Sequence, residues 1–565
     1  MKKVIHENSS KNSLELLTQY LDYKFITQNQ LDTALKISST SHHSIDDILL
    51  ACGFVTSKEV AQVKSQTLGT QYVDLSEFSP HHEALSLIPR DKAIEMSILP
   101  LMIQNEKLFI SIDERADYKH KAYLERVSQR SVRFVISSKK EILNQLMTHE
   151  YYTKEDAIRE KIDLLKVQSQ DSTNIVDLVN LLIEDAIEDN VSDIHISPEK
   201  DVLNVFFRMD GILVHTHSLP KEFQERIVSR IKILSKLDIS QTFLPQDGQI
   251  EYEYMHANFR LRVSTIGTTY GENIVMRLLK NSVSDLRVET LGLSDKNSLL
   301  LTKLFKQPNG LILVTGPTGS GKTTTLYSAL KEINSLNKNI LTVEDPVEYQ
   351  IPFIKQTQIN AKAGYTFDSA IRAFMRQDPD VILVGEIRDE ETAQLALRAS
   401  ITGHLVLSTL HTNDAVGAIA RLTDLGIPNY LVGSATIAIL AQRLVRKLCN
   451  HCKIKVHDQE VELKKYDVPI ELIQEFSQTQ IHEPKGCPKC AQSGYASREM
   501  ILEILQVDKH VEDMIANHKS SLEILEYTKT KNMKSMLDDG YTKVLEGKTS
   551  FQEIQRMVLD REFLE

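Results

Sequence analysis

Residues 316–323 read Gly-Pro-Thr-Gly-Ser-Gly-Lys-Thr, and no other stretch constrains the fold as strongly. The apolar run "GLILVT" precedes it and the helix-forming run "TTTLYSALKEI" follows it. A strand, a glycine-rich turn and a helix N-terminus in that order gather backbone N–H groups and the positive end of a helix dipole around an anion. Gly316, Pro317, Thr318, Gly319, Ser320, Gly321, Lys322, Thr323 and Thr324 are expected to cradle the phosphates of a nucleotide. In such a loop the lysine charge serves the β and γ phosphates and the threonine hydroxyl serves Mg²⁺.

The loop also predicts what surrounds it. From Leu311 onward, apolar β-runs alternate with helical ones, which implies a largely parallel sheet covered on both sides. A second apolar run, "VILVGEIRD", ends in Gly385 and Glu386. That puts a carboxylate at the carboxyl end of a parallel strand, where such sheets bind ligands.

At 565 residues the chain is too long for one hydrophobic core, so three or four domains are expected. Residues 1–68 form a helical repeat region, in which "FITQNQLDTAL" and "FVTSKEVAQVK" each offer a threonine N-cap before a helix. Residues 69–152 mix β-like runs ("QYVDL", "KLFISI", "VRFVIS") with helical ones, as a small α/β domain does. The charged stretch 153–171 is expected to be a linker. Residues 172–288 open with an amphipathic helix capped at Ser172 or Thr173 and continue in strands with an Asp-Gly turn, an α+β pattern. Residues 289–565 hold the nucleotide domain.

A net charge of -11 argues against nucleic acid as a partner. No run approaches the roughly 18 apolar residues that would span a bilayer. "MKKVIHENSSKNS" lacks the apolar core of a secretory signal. A cytoplasmic protein held at a membrane only through partners is the expectation.

Four of the five cysteines form two CxxC pairs, Cys449/Cys452 and Cys487/Cys490, separated by 34 residues. Each pair offers two thiolates from one tight turn, and together they suit a closed tetrahedral Zn²⁺ site of structural kind. Disulfides are the alternative, disfavoured in a reducing compartment. Cys52 lies in an apolar run and reads as a packed core thiol.

Three further stretches follow the phosphate loop in order: "TVEDPVEY" (342–349), "RQDPDVILVGEIRDEETA" (376–393) and "TGHLVLSTLHTNDA" (402–415). Together they closely resemble the secretion ATPases of type IV pilus assembly and type II secretion, over about residues 172–505. The resemblance implies a multidomain α/β chain: a RecA-like P-loop core, a preceding PAS-like α+β domain, a zinc-bearing subdomain at 449–490 and an α/β N-terminal domain. It implies ATP, Mg²⁺ and Zn²⁺ as ligands. Glu344, Asp345 and Glu348 match the family's aspartate box, with carboxylates near Mg²⁺ and the attacking water. Glu386 matches the Walker B glutamate, and His404 and His411 match the histidine box. Alone, either histidine would read as an ordinary core or surface residue.

In "FRLRVST", alternation puts Phe259, Leu261 and Val263 on one face and Arg260 and Arg262 on the other. The resemblance implies that Arg262 and Arg277, then Arg208 and Arg260, reach phosphate. The chain departs from the family where "QTFLPQDGQ" sets Phe243 and Gln249 in place of basic residues, and where Ser197 replaces an acidic one. Residues 15–150 resemble, more loosely, the N-terminal region of pilus extension ATPases. In some relatives that region binds cyclic di-GMP through an Arg-Leu-Gly-like signature. Here Ser44, Ile45 and Asp46 stand at those places and no arginine precedes Arg90, which argues against tight cyclic di-GMP binding.

What the resemblance implies is a homohexameric motor for pilus assembly at the inner membrane, with a platform protein and a recruitment protein as partners. Type II secretion is the alternative output. A nucleotide-binding scaffold with little turnover, or a DNA translocase, are the competing classes.

Overall fold

The computed structural model describes residues 18–38, 43–76, 78, 80–113, 118–146, 158, 162, 172–255, 257–279, 286–334, 336–466, 468, 479–487, 490, 492–531 and 533–559. Most of the expected linker, 153–171, therefore lies outside the described residues, as do the side chains of Ser172 and Thr173. The chain divides into two compact units, Met1–Ser284 and Asp285–Glu565.

The first unit begins with helices at Gln28–Ser38, Ile45–Ala51 and Ser57–Thr67. Thr56 caps the last of these in a full capping box with Glu59, and the Gln30 N–H donates to Thr27 at the equivalent place in the first repeat. Cys52 is half-buried at the edge of this helical core.

A three-stranded sheet follows: β1 (Leu99–Gln104), β2 (Lys107–Ile112) and β3 (Ser131–Ile136), with β1–β2 antiparallel and β2–β3 parallel. "QYVDL" is not a strand. It makes a single bridge, Tyr72 to Ile136, because β3 ends there and offers nothing further to pair with.

The helix Ser172–Glu188 buries Ile175, Leu178, Val179, Leu182, Ile183 and Ala186, a helical stripe, against a six-stranded antiparallel sheet. That sheet runs in the order β6-β5-β4-β9-β8-β7. Its members are β4 (Asp193–Pro198), β5 (Val202–Met209), β6 (Ile212–Pro220), β7 (Gln246–Tyr254), β8 (Ala257–Thr268) and β9 (Gly271–Leu279). Asp210 and Gly211, both at positive φ, make the predicted turn between β5 and β6. Ile158, from the stretch read as a linker, packs into the same core.

The second unit is built on a seven-stranded sheet in the order β12-β11-β13-β14-β10-β15-β18. The strands are β10 (Gly310–Thr315), β11 (Ile340–Glu344), β12 (Lys355–Gln358), β13 (Val381–Val384), β14 (Leu405–Leu410), β15 (Thr436–Leu448) and β18 (Tyr495–Gln506). All pairings are parallel except β15–β18. Every residue of β10, β13 and β14 is buried, as expected of parallel strands covered on both faces. Two short antiparallel strands, β16 (Ile454–Lys455) and β17 (His482–Glu483), lie between the two cysteine pairs.

Candidate active site and cysteine cluster

The phosphate loop joins β10 to the helix Lys322–Ile333, with Lys322 as the first helical residue. Gly316, at φ 143°, must be glycine: a Cβ there would lie 2.4 Å from the Gln442 carbonyl oxygen and 2.7 Å from Ser320 Oγ. Lys322 Nζ donates to the Gly316 and Pro317 carbonyls, at 2.7 and 3.0 Å. Burial lowers its pKa, against the opposing pull of Glu386. Thr323 and Thr324 are exposed at the helix start.

The carboxyl ends of β11, β13 and β14 bring the acidic groups and one histidine to the same edge. Glu386 follows β13, and its Oε1 lies 2.5 Å from Arg388 while its Oε2 lies 3.8 Å from His411 Nε2. Burial, then the Lys322 charge, lowers the His411 pKa. Asp345 adds its negative field at Arg388.

Glu344 ends β11 and is 4% exposed. Its carboxylate accepts from Tyr327, from Thr342 at 2.6 Å and from Gln356 at 3.2 Å. Burial pushes its pKa up.

His404 is not brought to this cluster. It precedes β14, whose first residue pairs with the first residue of β10, so it sits at the opposite edge of the sheet from the phosphate loop. A six-residue strand is roughly 20 Å long. His404 instead bonds locally, its Nδ1–H donating to the Ala399 carbonyl at 2.8 Å.

Sequence reasoning also missed Gln442, a fully buried amide on β15. Its Nε2 donates to the Ser320 carbonyl at 2.7 Å and its Oε1 accepts from Thr325 at 2.8 Å, bracing the phosphate loop from behind. Only tertiary structure joins these residues, 117 positions apart in the case of Thr325.

The expected arginines belong to the first unit. Arg277 Nε lies 2.9 Å and Arg208 Nε 3.5 Å from opposite oxygens of Asp193, whose two neighbouring strands they occupy. Burial alone would raise the Asp193 carboxyl, but the hydrogen bonds from Arg277 and Ser192 and the Arg208 charge outweigh it and hold it below the ordinary range. Arg262 pairs in register with Arg277 across β8 and β9, and Arg260 lies two residues before it. Phe243 is 87% exposed, Gln249 faces Arg262 across β7 and β8, and the Ser197 hydroxyl lies 2.8 Å from Asn273 Oδ1.

The four thiols of Cys449, Cys452, Cys487 and Cys490 lie within 4.8 Å of one another. Sγ separations are 3.9 Å for Cys449–Cys487, 3.8 Å for Cys452–Cys490 and 3.6 Å for Cys487–Cys490. A tetrahedron of thiolates at about 2.3 Å from Zn²⁺ has edges of about 3.8 Å, so the geometry fits that ion. A disulfide needs about 2.05 Å, and none joins these residues. The Cys487 and Gly494 N–H groups point at Cys490 Sγ, each at 3.2 Å, and such donors favour a thiolate.

Three comparisons with known proteins bear on this arrangement. The family described as "Type II/IV secretion system protein" matches residues 168–556, and the MshEN domain matches residues 68–157. The chain belongs to the type II/IV secretion system protein family. It is 44% identical over 402 residues to type II secretion system protein E of Pseudomonas aeruginosa, covering 71% of this chain and 78% of that relative. It is 36% identical over 529 residues to the type IV pilus assembly ATPase PilB of Thermus thermophilus, covering 90% of this chain and 58% of that relative. The solved structure of the Yersinia pseudotuberculosis ATPase DotB aligns over 67% of this chain and 92% of its own, with a TM-score of 0.50 at 19% identity, a likeness of fold alone. As a member of the secretion family the chain is an ATP hydrolase. No helix among the described residues is long and apolar enough to cross a membrane.

Proposed function

We propose that this ATPase is the motor of a pilus-assembly machine, working as a homohexamer on the cytoplasmic face of the inner membrane. A membrane platform protein and a recruitment protein hold it there, and the work of hydrolysis moves pilin subunits from the bilayer into a filament. The observation that carries the reading is the reach of the similarity to PilB, which spans 90% of this chain and so takes in the N-terminal region. The higher identity to type II secretion system protein E favours a second reading, a motor for pseudopilus assembly and protein export.

Residues Gly316–Thr324 bind the phosphates of ATP. Mg²⁺, near Thr323 and Asp345, supplies positive charge to the phosphates when bound. Glu386, Glu344 and Glu348 orient the attacking water, and His411 stands beside Glu386 toward phosphate. Arg262 and Arg277, with Arg208 and Arg260, stabilise charge on the transferred phosphoryl group. The four cysteines hold one structural Zn²⁺. The N-terminal helices do not bind cyclic di-GMP tightly: Ser44 is spent as a helix cap, and Asp46 accepts from buried Tyr20 and pairs with Lys64.

The test is a strain whose only copy carries Glu386→Gln, scored for surface pili by electron microscopy and for exported enzymes in the medium. Lost pili with normal export support the pilus reading. Normal pili with enzymes trapped in the cell replace it with the secretion reading. The purified variant is expected to lose turnover by about 100-fold and keep nucleotide binding.

A further inference from the structure

Tyr327 lies on the helix that the phosphate loop opens, five residues after Lys322, and is 1% exposed. Its hydroxyl donates to Glu344 and accepts from the Glu348 N–H at 3.1 Å. Its ring meets Tyr349 edge-on, with centroids 5.9 Å apart. One side chain thus ties the helix carrying Lys322 and Thr323 to both ends of the acidic turn 344–348.

A carboxylate offers about four lone-pair positions. In Glu344, Tyr327, Thr342 and Gln356 take three of them, each donor coming from a different element. The one left has its direction set by the other three. Thr342 is on the same strand as Glu344 and Gln356 is on the edge strand β12. Of these three donors among the described residues, only Tyr327 links the carboxylate to the phosphate-binding helix.

We propose that Tyr327 is a positioning residue for ATP hydrolysis, holding the Glu344 carboxylate and the 344–348 turn in register with the helix that bears Lys322 and Thr323. The proposal rests on the reading of Glu344 given above. Turnover depends on this register because a water-orienting group must keep its distance from the phosphate as the loop closes on nucleotide. Nucleotide affinity does not depend on it, because the phosphates are held by the loop itself.

Tyr327→Phe keeps the ring and removes only the hydroxyl. The full-length variant is expected to stay folded and to lose kcat by about tenfold, with KM for ATP and affinity for a fluorescent ADP analogue close to the parent's. In a Glu344→Gln background the same substitution is expected to cost less, because one of the two groups that the hydroxyl holds is gone. Parental kcat in Tyr327→Phe overturns the proposal. An equal loss of kcat in both backgrounds, or loss of folded protein, also overturns it by assigning the hydroxyl a structural role. Undiminished turnover in Glu344→Gln alone removes the reading of Glu344, an outcome separate from any behaviour of Tyr327→Phe.

Discussion

Replacing Gln442 with leucine tests whether the phosphate loop is held by its own sequence or by the strand behind it. The substitution keeps most of the side-chain volume and removes two hydrogen bonds, to the Ser320 carbonyl and from the Thr325 hydroxyl. The two losses are unequal. Thr325 can turn to the Gly321 carbonyl, 3.5 Å away, so its share is about 1 kcal/mol or less. The Ser320 carbonyl loses the side-chain donor it has among the described residues, and an unpaired buried acceptor costs about 1–3 kcal/mol. The sum is about 1–4 kcal/mol, which at about 2 °C per kcal/mol lowers the melting temperature of the ATPase unit by roughly 2–8 °C. A loosened loop must also be reordered when phosphate binds, and about 1.4 kcal/mol spent there weakens ADP affinity tenfold. Scanning calorimetry and titration with a fluorescent ADP analogue read both numbers. Thr325→Val serves as the internal control and is expected to weaken affinity less than threefold, at about 0.6 kcal/mol. Parental melting and affinity in Gln442→Leu would refute the reasoning, as would a larger defect in Thr325→Val than in Gln442→Leu.

Two further outcomes are expected. Metal analysis of the purified chain should find one zinc per chain, and Cys487→Ser should lower that content and the melting temperature together; a zinc-free protein of parental stability would rule out the site. Glu553, fully buried beneath Arg446 and Arg556 at 2.7 and 2.6 Å, should make stability fall on acidification. Burial alone would raise its pKa, but hydrogen bonds from Arg556 and Arg446 outweigh burial and lower it. The stabilisation is therefore complete above the ordinary glutamate value of about 4.3 and is lost as pH falls through the lower folded-state value. Glu553→Gln should cost about 3 kcal/mol at pH 7 and remove that part of the acid dependence in denaturant titrations.

What could be read from the sequence was whatever chemistry lies along a short stretch of chain. The phosphate loop, Glu386 after β13 and the two CxxC turns each announce themselves within ten residues, because a turn or a strand end fixes their geometry locally. Strand geometry also explains why only one of the two histidines lies beside Glu386. His404 and His411 share one motif, yet the six residues between them form β14, so extension carries the two rings to opposite edges of the sheet. "QYVDL" had the composition of a strand but lacked a partner long enough to pair with, which composition does not record.

Gln442, Tyr327 and Asp193 were invisible for a common reason. Each acts on a residue from another element, and nothing in its own neighbourhood marks it as polar support rather than surface. Asp193 makes the point most clearly. Alternation along β8 correctly set Arg260 and Arg262 apart from the core face, but that pattern describes a single strand. The carboxylate that fixes Arg208 and Arg277 comes from β4, which the sheet inserts between β5 and β9. Two of the arginines expected to reach phosphate are thus already aligned by an internal anion. Guanidinium groups held in this way lose less freedom on engaging phosphate than free ones would. On the proposed role of Arg208 and Arg277, the same ion pairs are shared or exchanged when phosphate binds, and Asp193 sets both the readiness of the two arginines and the strength with which they can be drawn away.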